Sequence, residues 1–240
     1  MGPEPESIKL FDELALKRNP DAVILRNDDW REYVGRHRGF EFSPARTYAQ
    51  RADVIRYMLL CAHGGIWLDA DCIVNRSLSP ILHELKGSDL LLFEEEYRRD
   101  GGLVRIPYDC ANYFMAANPH TGPIRSLRNL AIEVCEELGD DRAPHETLSK
   151  PLMRRMYKHH GDQVRALPAK SFMPIHWKAG HPKGLWFRSG TDAQHAERYD
   201  PQAYTYMLSR GVIHHTRNWS RRRWLSGDEL ICYIVRRAME

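Results

Sequence analysis

The stretch RADVIRYMLLCAHGGIWLDADCIV, Arg51 to Val74, limits the possible folds more tightly than any other part of the chain. Ala52, Ile55, Leu59 and Ala62 recur at three- and four-residue spacing, which predicts a helix over YAQRADVIRYMLLCAH that stops at Gly64-Gly65. IWLDADCIV then predicts a buried strand broken by its acidic pair, Asp69 and Asp71. In an extended chain, residues i and i+2 point to one side. Two like charges would then crowd one spot beside an apolar core, which is costly unless a positive group lies between them.

The flanking pattern sets the class. IKLFDELALKRNP has Ile8, Leu10, Phe11, Leu14 and Leu16 at roughly helical spacing, with Pro20 just beyond. DAVILRND reads as a short strand, and SDLLLFEEE and ANYFMAAN as two more. GPIRSLRNLAIEVCEELG is a second clear helix, KPLMRRMYKHHG a weaker third, and VRALPAKSFMPIHW and GVIHHT read as short strands in a looser C-terminal half. Strands alternating with helices predict an α/β fold with a mainly parallel sheet flanked by helices. A chain of 240 residues suits one substantial core, so 1–240 reads as a single domain.

Composition excludes several classes. Charged residues at 28% and hydrophobic ones at 42% are ordinary for a soluble globular protein. A net charge of +3 is too small to argue for nucleic acid. The basic cluster RNWSRRRW, Arg217 to Trp224, is open to three readings: a solvated face, a peripheral membrane contact or an anion site. Five cysteines without CxxC spacing argue against a disulfide framework and against a zinc knuckle, and favour a reducing compartment. No apolar run approaches the roughly 20 residues that span a bilayer, and MGPEPESIKL lacks a signal-peptide core, so the expected location is the cytoplasm.

Chemistry concentrates in the opening stretch. Asp53 and Arg56, three apart on the helix, share a face. Gly64 and Gly65 permit a tight turn and close approach of a ligand, and the strand then delivers Asp69 and Asp71. A divalent cation resolves the repulsion of the last two: carboxylate oxygens suit Mg²⁺ or Mn²⁺, which keep positions open for phosphate oxygens. Asp53 and Arg56 together offer acceptors and a rigid donor fork for neutral hydroxyls. Each feature taken singly has a plainer reading, since an i,i+3 Asp–Arg pair is usually a surface ion pair and an isolated DxD a turn. The combination, in this order and spacing, carries the functional reading.

The same stretch resembles the DXD sugar-binding region of glycosyltransferase family 32. The family pattern, D-x-x-R-Y, an apolar helix end and then G-G-[IV]-[YW]-L-D-x-D, is filled by Asp53, Arg56, Tyr57, Gly64, Gly65, Ile66, Trp67, Leu68, Asp69 and Asp71. Fainter likeness extends to SIKLFDELALKRNPDAVILRNDD, NYFMAANPHTGPI and VIHHTRNWS. The resemblance implies a GT-A (Rossmann-like) fold and a retaining transferase that uses a nucleotide-diphosphate sugar with Mn²⁺ (or Mg²⁺) and a glycan, lipid or protein acceptor. It implies Asp71 as the principal metal ligand, with Asp69 touching sugar or ribose hydroxyls and the metal through water. Asp53, Arg56 and Gly65 would hold the donor sugar, and Trp67 would pack beside the nucleotide. His214 would be a C-terminal metal ligand, with His215 as fallback. Asp109 and Asn112 would lie on the acceptor side, and Trp219 and Trp224 would be either a lid or core. It implies no protein nucleophile, because the departing phosphate takes the acceptor proton on the same face.

Two departures are visible. Members usually open with a strand resembling IPKIIHQIW ahead of the first helix, whereas this sequence begins almost at the helix; a non-catalytic GT-A relic acting as a binding protein is the alternative reading. The Gly-Pro before the acceptor-side helix appears as SKP, Ser149 to Pro151.

Overall fold

The computed structural model describes residues 6–26, 29–99, 102–172, 174–175, 185–208 and 210–240. Helices α1 (Glu6–Arg18) and α2 (Tyr48–His63) precede strands β1 (Gly65–Leu68) and β2 (Cys72–Val74). Helix α3 (Ser79–Glu84) leads to the long strands β3 (Leu90–Arg99) and β4 (Gly102–Ala117), followed by α4 (Gly122–Leu138), α5 (Lys150–His160) and β5 (Val164–Leu167). The remainder is α6 (Asp192–Ala196), β6 (Thr205–Met207), α7 (Arg210–Thr216), α8 (Arg221–Ser226) and α9 (Leu230–Met239). These elements form two compact units. A sheet unit comprises Leu25–Leu68 and Pro80–Pro168, and a helical unit comprises Met1–Ile24, Asp69–Ser79 and Ala169–Glu240.

In the sheet unit four strands lie in the order β1-β4-β3-β5. β1 pairs antiparallel with β4 (Gly65 opposite Ala117, Leu68 opposite Phe114), and β3 pairs antiparallel with β4 from Leu90–Ala117 to Arg99–Gly102. Only β3 and β5 run parallel, Leu90 opposite Val164 and Phe93 opposite Leu167. The sheet is therefore mixed and mainly antiparallel, a correction to the mainly parallel expectation. The reason is local: nothing helical separates β3 from β4, and consecutive strands without a crossover pair antiparallel. Their polar halves, EEEYRR and GLVRIPYDC, hide the hairpin in an apolar-pattern reading. The apolar halves do look like parallel strands, because both faces are buried. Leu90 and Leu92 of β3, with Met115 and Ala117 of β4, enter the core beneath α2, α4 and α5, while Leu91, Phe93, Phe114 and Ala116 are also fully buried on alternate positions.

Helix α2 organises this unit. Thr47 caps it, accepting from Gln50 N at 3.3 Å, while Gln50 Oε1 accepts from Thr47 N at 3.0 Å, a reciprocal capping box. Gln50 Nε2 also donates to the carbonyls of Ala143 and Pro144, which ties the helix start to the segment before α5. Tyr57, Met58 and Cys61 of α2 pack with Ile124, Leu127 and Ala131 of α4 and with Leu152, Met153 and Met156 of α5.

The helical unit builds its own core from Leu10, Phe11 and Leu14 of α1, Ile231, Ile234 and Val235 of α9, and Trp186, Tyr206 and Trp224, all buried. β2 and β6 form a two-stranded antiparallel ladder, Cys72 opposite Met207 and Val74 opposite Thr205. The C-terminal half thus reads as loose only because its elements are short; it supplies most of this core.

Two further expectations change. Residues 22–26 are not a strand: Arg26 N donates to Asp29 Oδ2 at 2.9 Å and Asp29 N to Arg26 O, so the backbone closes a turn instead of joining a ladder. GVIHHT lies in helix α7 rather than a strand. Its β-branched residues favour strand, but packing overrides propensity. Val212 and Thr216, four apart, are both buried, and Thr216 Oγ1 donates to Val212 O at 2.9 Å. Part of SFMPIHW lies outside the described residues. The four cysteines with described side chains, Cys61, Cys72, Cys135 and Cys232, are free thiols, and among the described residues no helix is long and apolar enough to cross a membrane.

Candidate sugar-binding site

In the sheet unit, Asp53 and Arg56 project from one face of α2, but they are not a surface pair. Arg56 is 2% exposed and Asp53 7%. Arg56 Nη1 donates to Asp53 Oδ1 at 2.8 Å, and the same oxygen accepts from Asn112 Nδ2 of β4 at 2.7 Å. Asn112 Nδ2 also reaches the Tyr57 hydroxyl at 3.3 Å, which in turn donates to Leu148 O at 3.2 Å. The Arg56 guanidinium lies over the ring of Trp67, 5.4 Å from its centroid. Helix α2 and strands β1 and β4 thus converge on one buried polar network that fixes a carboxylate and a guanidinium in one orientation. Asn112, expected on the acceptor side, is bonded to the Asp53 carboxylate. Tyr57, which the sequence reading gave no role, is the network's link to the backbone before α5. Its place beside Arg56 in the motif was the available signal.

The glycine pair that ends α2 does two different jobs. Gly64 sits at φ 67°, ψ −153°, a region essentially closed to other residues, and a Cβ there would lie 2.6 Å from Pro119 Cδ and 2.8 Å from Ala117 O. Gly65 has φ 84°, yet a Cβ on it would meet nothing within 4 Å. Gly64 therefore serves close packing of the helix end on the end of β4, whereas Gly65 leaves open space beside the chain. Gly64→Ala is expected to cost roughly 1–3 kcal/mol in backbone strain, with a similar overpacking penalty of about 1–3 kcal/mol. Gly65→Ala should cost only about 1–2 kcal/mol. Urea unfolding of the two variants checks the order; equal losses would contradict it.

At Leu68 the chain leaves the sheet unit, and Asp69 begins the next segment of the helical unit. Asp69 lies outside β1, and Ala70-Asp71 form a turn before β2, so the acidic pair sits on a bend between two strands of different sheets. The extended-chain premise for their proximity does not hold, because Ala70 and Asp71 lie in a turn and not in a strand. Both are half-buried. Leu208 N donates to the Asp71 carbonyl at 2.9 Å, continuing the β2–β6 ladder and anchoring the turn through its backbone.

The remaining candidates separate. The side chains of Asp109, in β4, and His214, in α7, lie outside the described residues. On a helix, adjacent histidines diverge by about 100°, so strand alternation no longer chooses between His214 and His215. His215 is exposed, its ring 4.4 Å from that of Phe187 and 6.1 Å from that of Trp219. Trp224 is fully buried in the helical core, and Trp219 packs on it at 5.2 Å. The basic cluster is partly paired: Arg221 bonds Glu13 at 2.6 Å, and Arg223 bonds Glu229 and lies over the Trp219 ring.

Among the described residues no group of three or more His, Cys, Asp or Glu side chains is placed to hold a metal ion. Two carboxylates on one tight turn nevertheless match what Mg²⁺ or Mn²⁺ takes from a protein when phosphate oxygens fill the other positions.

Residues 8–87 match the family described as a glycosyltransferase sugar-binding region containing a DXD motif. Over 66 residues the chain is 36% identical to inositol phosphoceramide mannosyltransferase 3 of Schizosaccharomyces pombe; the match covers 26% of this chain and 18% of that relative. The matched region thus spans less than a fifth of the relative's length. No solved structure matches significantly. The family match takes in α2, the glycine pair and the Asp69-Ala70-Asp71 turn. Over these residues the chain is similar to the glycosyltransferases whose sugar-binding region contains a DXD motif.

Proposed function

We propose that this protein is a retaining glycosyltransferase that moves a hexose from a nucleotide-diphosphate sugar to a glycan, lipid or protein acceptor with the help of a divalent cation, residues 1–240 being a single domain on a variant of the GT-A fold. The observation that carries this reading is the buried Asp53–Arg56 pair with Asn112. A buried ion pair adds little stability over apolar residues of similar size, so a carboxylate and a guanidinium held this firmly point to a ligand. A sugar hydroxyl needs both an acceptor and a donor, and the pair presents both from a rigid helix. Fixing their orientation beforehand lowers the entropy lost on donor binding.

Asp71, with Asp69 beside it, would hold Mn²⁺ or Mg²⁺, which when bound supplies Lewis-acid stabilisation of the departing diphosphate. The open space beside Gly65 admits a ligand close to the backbone. Trp67, its ring already against Arg56, limits how far the guanidinium can move. No residue is assigned as nucleophile, in keeping with proton transfer to the departing phosphate on one face of the sugar. His214 as a third metal ligand and Asp109 as an acceptor contact belong to the same proposal. The mannosyltransferase relative puts mannose, and a lipid acceptor, first among the substrates to try.

The test is thermal unfolding of the purified chain with UDP or GDP, each with and without Mn²⁺. A ligand that binds only the native state adds about 2.7 kcal/mol of stability at 100 times its dissociation constant and so raises the melting temperature. The expected result is a Mn²⁺-dependent rise with one nucleotide, which names the base. No rise with either nucleotide in a folded sample would overturn the proposal in favour of a non-catalytic binding protein.

A further inference from the structure

The sheet unit holds a cavity formed by the 34–37 turn, the C-terminal half of α2 and the start of α4, with a volume of about 550 Å³. This is within the range of roughly 300–1,000 Å³ typical of small-ligand pockets. Val34 and Met58 supply apolar wall, and among the described residues its ionisable lining is two histidines, His37 and His120, and two arginines, Arg125 and Arg128, with no carboxylate.

Arg128 is the telling member. It is only 8% exposed, yet no carboxylate pairs with it among the described residues. Its Nε and Nη2 donate to Asn129 Oδ1 at 3.1 and 2.7 Å, and Nη1 to Cys61 Sγ at 3.1 Å. A buried cation without a counter-ion is costly, and three of its five N–H groups are accounted for by these bonds. Arg125 stands one turn earlier on α4, steadied by its Nη2 bond to His120 O at 2.5 Å. His120 is the one described non-glycine residue at positive φ, 60°, and its N–H donates to Cys61 O at 3.0 Å. That bond, with Gly64 N donating to Leu60 O at 2.8 Å, occupies carbonyls at the negative end of α2 that would otherwise offset the arginines. Both arginines also lie in the first two turns of the 17-residue α4, at its positive end.

We infer that this cavity is an oxyanion site that takes a phosphoryl group, supplied either as free inorganic phosphate or as the headgroup of an anionic phospholipid. Arg128 is the buried anchor, Arg125 the exposed arm, and the two histidines complete the donor set. The site is independent of the sugar-binding reading and shares no residue with it.

The probes are inorganic phosphate, measured by calorimetric titration at constant ionic strength, and vesicles of phosphatidylcholine with or without phosphatidylinositol, measured by flotation. Saturable phosphate binding is expected, weakened at least tenfold in Arg125→Glu and in Arg128→Lys. Flotation with phosphatidylinositol vesicles alone, competed by phosphate, would identify the headgroup; phosphate binding without flotation would identify the free anion. Arg125→Glu replaces an exposed side chain and should fold even where Arg128→Lys does not, and its Mn²⁺-dependent nucleotide response should match the parent. Absence of saturable binding to both probes, or binding undiminished in folded Arg125→Glu, would overturn the assignment.

Discussion

Asp71→Ala is expected to abolish Mn²⁺-dependent stabilisation by nucleotide and to lower sugar transfer by on the order of 10²–10³-fold or more, the scale seen when one group that stabilises developing charge is removed. The fold should survive. What anchors the turn to β6 is the Asp71 carbonyl, bonded to Leu208 N, and alanine keeps that carbonyl. Melting temperature without ligand, nucleotide response with Mn²⁺, and transfer rate, measured on one preparation, separate binding from folding. Asp69→Ala should weaken the response less, because its assigned contact with the metal runs through water. A folded Asp71→Ala protein that still answers to nucleotide only with Mn²⁺ would remove the metal from this turn.

The second large effect concerns stability and function together. Asp53→Ala removes the oxygen that accepts from both Arg56 and Asn112 and leaves a guanidinium that is 2% exposed without this carboxylate. Breaking a buried pair from one side costs about 3–5 kcal/mol, which in a chain of this size lowers the melting temperature by roughly 6–20 °C. Replacing both members, Asp53→Leu with Arg56→Met, should recover much of that loss, since apolar side chains of similar volume are tolerated where an ion pair was buried. The double variant is nevertheless expected to lack donor binding. Recovered stability with retained transfer would make the pair structural only, and the test of Asp71 would stand unaffected.

Much of this was legible before any coordinates. The apolar spacing of α1, α2 and α4 and the glycine stop of α2 are local. The DXD region was legible because its chemistry is packed into 24 consecutive residues, Arg51 to Val74. Strand partners were not. Nothing in LLLFEEE says that its polar end continues as a hairpin, since pairing is chosen by segments far apart and by which faces become buried. α7 was misread for the same reason: Val212, Ile213 and Thr216 carry strand propensity, and a core contributed by α1, α8 and α9 overrules it.

The sequence by itself determined the chemical inventory: two acidic residues two positions apart, an aspartate and an arginine one helical turn apart, and two glycines between. Helical periodicity and side-chain chemistry are properties of neighbours, and neighbours are written in order. Only the tertiary structure decided that Asp53 and Arg56 are buried instead of solvated, that Asn112, 59 residues away, completes their network, and that Arg128 is enclosed with no carboxylate paired to it among the described residues. Burial and counter-charge depend on what the rest of the chain brings alongside, and that is settled by packing across long sequence distances.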